Sequence, residues 1–143
     1  MADDFTAPSP GFDHAFDAII EWQAPVTVGA IATGGRRIYR PIKGGSIEGW
    51  GFSGTFLGGG ETLLERADGV IDVEASYYIA FANGAAARCF GKGYITRGDR
   101  FSGLRLALLF EAAEDGPAAE LATRAFMAEQ AQGSRLMQIA RIT

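Results

Sequence analysis

Apolar and polar residues alternate along residues 70–82: Ile71, Val73, Ala75, Tyr77 and Ile79 fall on one side, and Asp72, Glu74, Ser76 and Tyr78 on the other. A period of two marks a strand with one buried face. Asn83-Gly84 follows, a pair suited to a type I′ turn because both central positions need positive φ. The pattern predicts a hairpin returning over residues 85–95, with Ala82 opposite Ala85 and Ala80 opposite Ala87. On the returning strand Arg88, Phe90, Lys92 and Tyr94 share a face, the composition of a solvated outer wall. Residues 36–42 alternate too, with Arg37 and Tyr39 on one face and Ile38, Arg40 and Ile42 on the other. Residues 104–110 (LRLALLF) read as a buried strand, and 135–142 as an alternating strand that closes the chain.

Shorter strands are expected over 16–22, 27–32, 46–50 and 61–66, separated by Gly34-Gly35, Gly44-Gly45 and the Gly58 to Gly60 run. In 46–50, Ser46, Glu48 and Trp50 share a face. Residues 118–132 are ambiguous. Their Ala, Leu and Glu content favours helix, whereas Gln132-Gly133-Ser134 suits the turn of a last hairpin, with 124–130 as its first strand. Many short strands with glycine punctuation predict an all-β fold, a barrel or a sandwich, with one small antiparallel β-barrel carrying at most one short helix as the expected form. Residues 1–12 read as a flexible tail and 13–143 as one domain.

Composition changes this picture in a few places. A length of 143 residues suits one core. The 20 glycines point to many turns and bulges. A net charge of −4 argues against a nucleic-acid surface, which needs clustered cations. Cys89 and His14 are each the only residue of their kind, so neither a disulfide nor a multi-ligand zinc site can form within the chain. A catalytic triad would have to use His14, beside the expected tail. No glycine run fits a phosphate loop or a dinucleotide fingerprint, and no Asp-rich calcium loop occurs. No metal or cofactor is therefore expected. The start of the chain resembles neither a signal peptide nor a membrane span, which gives the expectation of a soluble, cytoplasmic protein, with homo-oligomers left open.

Several motifs together carry a family resemblance. They are Gly35-Arg36-Arg37; Pro41-Ile42-Lys43-Gly44-Gly45-Ser46-Ile47-Glu48-Gly49; Gly54; Gly59-Gly60-Glu61; Asp68-Gly69; Glu74-Ala75 with Tyr77; and Asn83-Gly84-Ala85. In these the chain resembles the bacterial family known as domain of unknown function 3237, small β-barrel proteins without a settled reaction. The family usually has Asp where Glu61 stands, Trp where Thr62 stands and Pro where Gly58 stands. It also tends to show Trp-Leu-Asn where Leu121-Ala122-Thr123 occurs here. The resemblance implies a barrel, and in residues 118–132 a short helical turn followed by a strand.

Glu48 and Glu61 are the candidate catalytic residues. Each follows a glycine-rich run, and a carboxyl in an apolar pocket becomes a general acid or base near neutral pH. Trp50, Arg37, Tyr39 and Tyr77 are the candidate ligand-binding residues: an apolar wall, a cation and two hydroxyls for a carbonyl, carboxylate or oxyanion. The same residues also suit a structural role, with both acids tied to turns or paired with Arg36 or Arg37. Three functions remain in view: a cofactor-free acid–base enzyme of isomerase, lyase, cyclase or hydratase type acting on a small organic substrate; a barrel that binds a small molecule without turnover; and an assembly protein.

Overall fold

A computed structural model describes residues 6–143. Nine strands follow one another among these residues: β1 (Phe12–Trp22), β2 (Val26–Ala30), β3 (Arg36–Gly49), β4 (Phe52–Glu65), β5 (Ile71–Phe81), β6 (Ala86–Arg97), β7 (Ser102–Ala112), β8 (Phe126–Ala131) and β9 (Leu136–Ile142). One 3-10 turn, Ala119–Thr123, lies between β7 and β8. The sheet runs in the order β1-β9-β8-β7-β6-β5-β4-β3-β2, and every pairing is antiparallel. Pairing of β1 with β3, from Asp17↔Glu48 to Trp22↔Ile42, closes eight strands into a barrel. The ninth, β2, continues along the same edge of β3, beyond β1. Closure leaves the eight barrel strands fully paired, the usual answer to the exposed-edge problem.

The alternation of β5 reads as expected: Val73, Ala75, Tyr77, Ile79 and Phe81 point into the core and are nearly inaccessible. The hairpin after it is shifted by one residue. Ala80 pairs with Ala86 and Ile79 with Ala87. The loop is Ala82-Asn83-Gly84, in which Gly84 alone takes positive φ (89°), and the Asn83 side chain accepts from the Ala85 N–H at 3.0 Å. This is the three-residue hairpin closed by a left-handed glycine, rather than the two-residue turn. Residues 118–132 resolve into the 3-10 turn and β8, with the 132–134 turn leading into β9. The expected tail of residues 1–12 falls partly outside the described residues. Gly11 exchanges two backbone hydrogen bonds with Thr143, at 3.2 and 2.9 Å, and β1 begins at Phe12.

Neither Gly44-Gly45 nor Gly58 to Gly60 ends a strand, contrary to the punctuation read from sequence. Both lie inside the 14-residue strands β3 and β4. At Gly45 (φ 132°) a Cβ would strike the Ile19 carbonyl oxygen, and at Gly59 (φ 93°) the Ser76 carbonyl oxygen. Glycine lets the strands cross closely at these points while they coil round the barrel. Each run also accompanies a β-bulge. Opposite β1, Lys43 is the residue left over between Gly44 and Ile42. In β4, Leu57 is left over between Phe56 and Gly58. A bulge adds one residue, so inward and outward positions exchange beyond it.

The two ends of the barrel differ. At one end Phe16, Phe52, Phe110 and Phe126 pack with ring centroids 5.0–6.3 Å apart. Leu121 of the 3-10 turn is fully buried there, and Ala118 beside it nearly so. The Trp50-Gly51 turn between β3 and β4 lies at the same end, with Trp50 edge-on to Phe126 at 6.4 Å. At the other end, where β1, β6 and β8 finish and β3 and β7 begin, the barrel opens.

Candidate functional site

The site is built on the inward face of β3, β4 and β5. Alternation carries Ile38, Arg40 and Ile42 inward from β3. The bulge at Leu57 turns Glu61 and Leu63 inward from β4, and β5 contributes Tyr77. Glu61 is fully buried, the one charged residue so placed among the described residues. Its carboxylate has two partners. Arg40 Nη2 donates to Oε1 at 2.7 Å, and the Tyr77 hydroxyl donates to Oε2. Burial, reinforced by the neighbouring Glu61 charge, pushes the Tyr77 hydroxyl well above its ordinary value, so it keeps its proton. Arg40 is the link to solvent. Its side chain is 31% exposed, its guanidinium lies 4.2 Å from the Trp22 ring centroid, and its Nε is buried with no hydrogen-bond partner.

Arg40 and Trp22 open onto a cavity of about 260 Å³ at the mouth of the barrel, where Arg97, Leu104, Gln130 and Gln132 also line it. Buried charge in the interior is thus connected, through one guanidinium, to the cavity at the mouth. A larger groove of about 540 Å³ runs over the outer wall past Tyr39, Arg88 and Phe90. Charged groups along it are already paired, Arg88 with Glu111 at 3.1 Å and Lys92 with Glu74 at 3.0 Å.

The structure separates the residues that the sequence grouped. Glu48 is exposed on the outer wall, opposite Asp17, so the two acids do not share a pocket. The bulge at Lys43 accounts for this: Ile42 points inward, and beyond the bulge Ile47 does so and Glu48 does not. Trp50 is not beside Glu61 either. It occupies the turn at the closed end with φ 48°, the one non-glycine residue at positive φ among those described, with the Arg141 guanidinium 4.6 Å from its ring centroid. Arg37 and Tyr39 lie on the opposite face of β3 from Arg40, and the Tyr39 hydroxyl donates to the Gly59 carbonyl at 3.3 Å on the outer wall. Of the candidates, Glu61 and Tyr77 come together, joined by the hydrogen bond from hydroxyl to carboxylate. Arg40 and Trp22 were missed as site residues. The signal for Arg40 was present: a cation on the same strand face as Ile38 and Ile42 either ruins a core or belongs to a buried pair.

Among the described residues no three His, Cys, Asp or Glu side chains gather as a metal site. Cys89 is buried, and burial raises its thiol far above the ordinary range. No helix among the described residues is long and apolar enough to cross a membrane.

Residues 10–137 match the model of the family described as protein of unknown function (DUF3237). The chain belongs to this family. A UPF0311 protein of Clostridium acetobutylicum is 31% identical over 91 residues, which cover 63% of this chain and 58% of that relative. A solved protein of unknown function from Clostridium acetobutylicum superposes with a TM-score of 0.83 at 24% identity, covering 94% of this chain and all of the other. A solved structure described as an enzyme from Penicillium herquei has a TM-score of 0.79 at 19% identity, covering 97% of this chain and 99% of its own. At these identities the two solved structures share the fold with this DUF3237 chain.

Proposed function

We propose that this barrel takes a small organic molecule into its open end and performs proton-transfer chemistry on it with Arg40, Glu61 and Tyr77. Arg40 is the first of the three that a ligand meets, and its fixed cation stabilises an oxygen that gains negative charge during enolisation, elimination or hydration. Turning the guanidinium toward that oxygen uncovers Glu61 Oε1, the proton acceptor. The Tyr77 hydroxyl holds the other carboxylate oxygen in place. The observation that carries this reading is the fully buried Glu61 joined to the mouth cavity by Arg40. An apolar pair of similar volume commonly gives equal or greater stability than a buried ion pair, so its presence asks for a use. The enzyme from Penicillium herquei supports the reading only as a fold-level analogy.

One observation favours a second reading, binding without turnover: Glu61 itself has no exposed surface. Both readings meet the same experiment. Small unsaturated, aromatic and carbonyl compounds are screened by thermal shift, and those that bind are assayed for turnover. Catalysis predicts that Glu61→Gln keeps binding and loses turnover, whereas exposed Glu48→Gln keeps both. Binding without turnover by the unaltered protein supports the second reading. Folded Glu61→Gln and Arg40→Lys variants that both turn over at the unaltered rate overturn the assignment of these three residues.

A further inference from the structure

The lining of the mouth carries a second charge that the Arg40–Glu61–Tyr77 group does not use. Arg97, near the end of β6, borders the cavity and makes no ion pair among the described residues. Arg66, Arg88, Arg105 and Arg141 each face a carboxylate across the outer wall or the strand ends. Arg36, Arg37, Arg100, Arg124 and Arg135 share with Arg97 the lack of an ion pair among the described residues; what sets Arg97 apart is its place in the cavity lining. The cavity lining holds two arginines and neither Asp nor Glu, on a chain whose net charge is −4. Glu61 behind the wall offsets Arg40, and nothing in the lining offsets Arg97. A lining with two cations and no acid favours an anionic ligand over a cationic one. Gln132 adds an amide donor at its rim, where the Gln130 amide already donates to the Ser134 carbonyl at 2.7 Å, while Trp22, Ile95 and Leu104 give an apolar side.

We infer that the mouth is specific for a small carboxylate with one apolar ring or short chain, its carboxylate held by Arg97 and its apolar part against Trp22. This rests on the mouth being the ligand site. A guanidinium presents a planar fork that matches two carboxylate oxygens. The size agrees: about 260 Å³ falls just below the roughly 300–1,000 Å³ range of pockets for drug-sized ligands. The arrangement also assigns separate tasks to the two arginines. Arg97 anchors the charge the ligand already has, and Arg40 remains for an oxygen that becomes charged.

The test compares benzoate with its neutral counterpart benzamide by titration calorimetry on the full chain. Nuclear magnetic resonance shifts of the Trp22 indole N–H and the Arg97 Nε–H locate the binding. Benzoate is expected to bind at least about tenfold more tightly than benzamide, to move both signals and to weaken as salt is raised. Arg97→Gln is expected to remove about tenfold of the benzoate affinity, leaving benzamide affinity and the unfolding midpoint unchanged. Equal affinity for both probes, with both signals moving, overturns the carboxylate assignment and leaves the mouth as the ligand site. Both signals unmoved by either probe overturns the mouth reading and the assignment with it.

Discussion

The closed end and the open end of this barrel are made from the same eight strands and solve opposite problems. At the closed end four phenylalanines interlock, the 3-10 turn buries Leu121, and Trp50 sits over Phe126. The rings and Leu121 gain by leaving water, while the Arg141 guanidinium over Trp50 keeps its Nε buried without a hydrogen-bond partner. At the open end the interior holds a carboxylate and a guanidinium, whose removal from water opposes folding. The apolar burial at the closed end offsets the desolvation of the ion pair at the open one. A mainly apolar barrel wall need not be uniform along its axis.

The largest effect is expected at the closed end. Phe126→Ala empties the centre of the aromatic cluster, where the Phe126 ring lies 5.0 Å from that of Phe110 and 6.1 Å from that of Phe16. It should cost about 3–5 kcal/mol in a urea unfolding curve. A loss under about 1 kcal/mol, small for any truncated buried aromatic, would remove the contrast between the two ends.

At the open end Arg40→Met leaves Glu61 buried without its cation. The loss should be about 2–3 kcal/mol, below the usual figure for a fully buried pair because Arg40 is 31% exposed. The double variant Arg40→Met/Glu61→Leu sharpens the comparison. It should regain stability to within about 1 kcal/mol of the unaltered protein, while losing any turnover that the unaltered protein shows. A double variant no more stable than Arg40→Met alone would break the comparison, since the pair would then serve the scaffold.

Tyr77→Phe removes one donor to Glu61 without changing the packing against Phe56, whose ring lies 5.9 Å away. It should cost about 1–2 kcal/mol in the same unfolding measurement. Glu48→Gln is the smallest change. Glu48 faces Asp17 directly across β1 and β3, and relieving two like charges on an exposed wall should raise stability by no more than about 0.5 kcal/mol at neutral pH. A loss above 1 kcal/mol, well outside the usual surface range, would mean that Glu48 has structural work the exposed position does not reveal.

The sequence by itself determined which residues share a strand face. Tyr77 with Val73 and Ile79, Arg40 with Ile38 and Ile42, and Arg88 with Lys92 and Tyr94 all follow from a period of two within an unbroken strand. It also pointed to an all-β fold and to the hairpin between β5 and β6, though one residue out of register, and left residues 118–132 open between a helix and the last hairpin. Tertiary structure decided which face looks inward after each glycine run. The bulge at Lys43 turned Glu48 to solvent and the bulge at Leu57 turned Glu61 to the core. A bulge depends on how a neighbouring strand pairs: for Lys43 that neighbour is β1, met only when the sheet closes, and for Leu57 it is β5, the next strand in the chain. Local alternation has no memory across such a point, so the two acids looked equivalent in the sequence and became opposites in the fold.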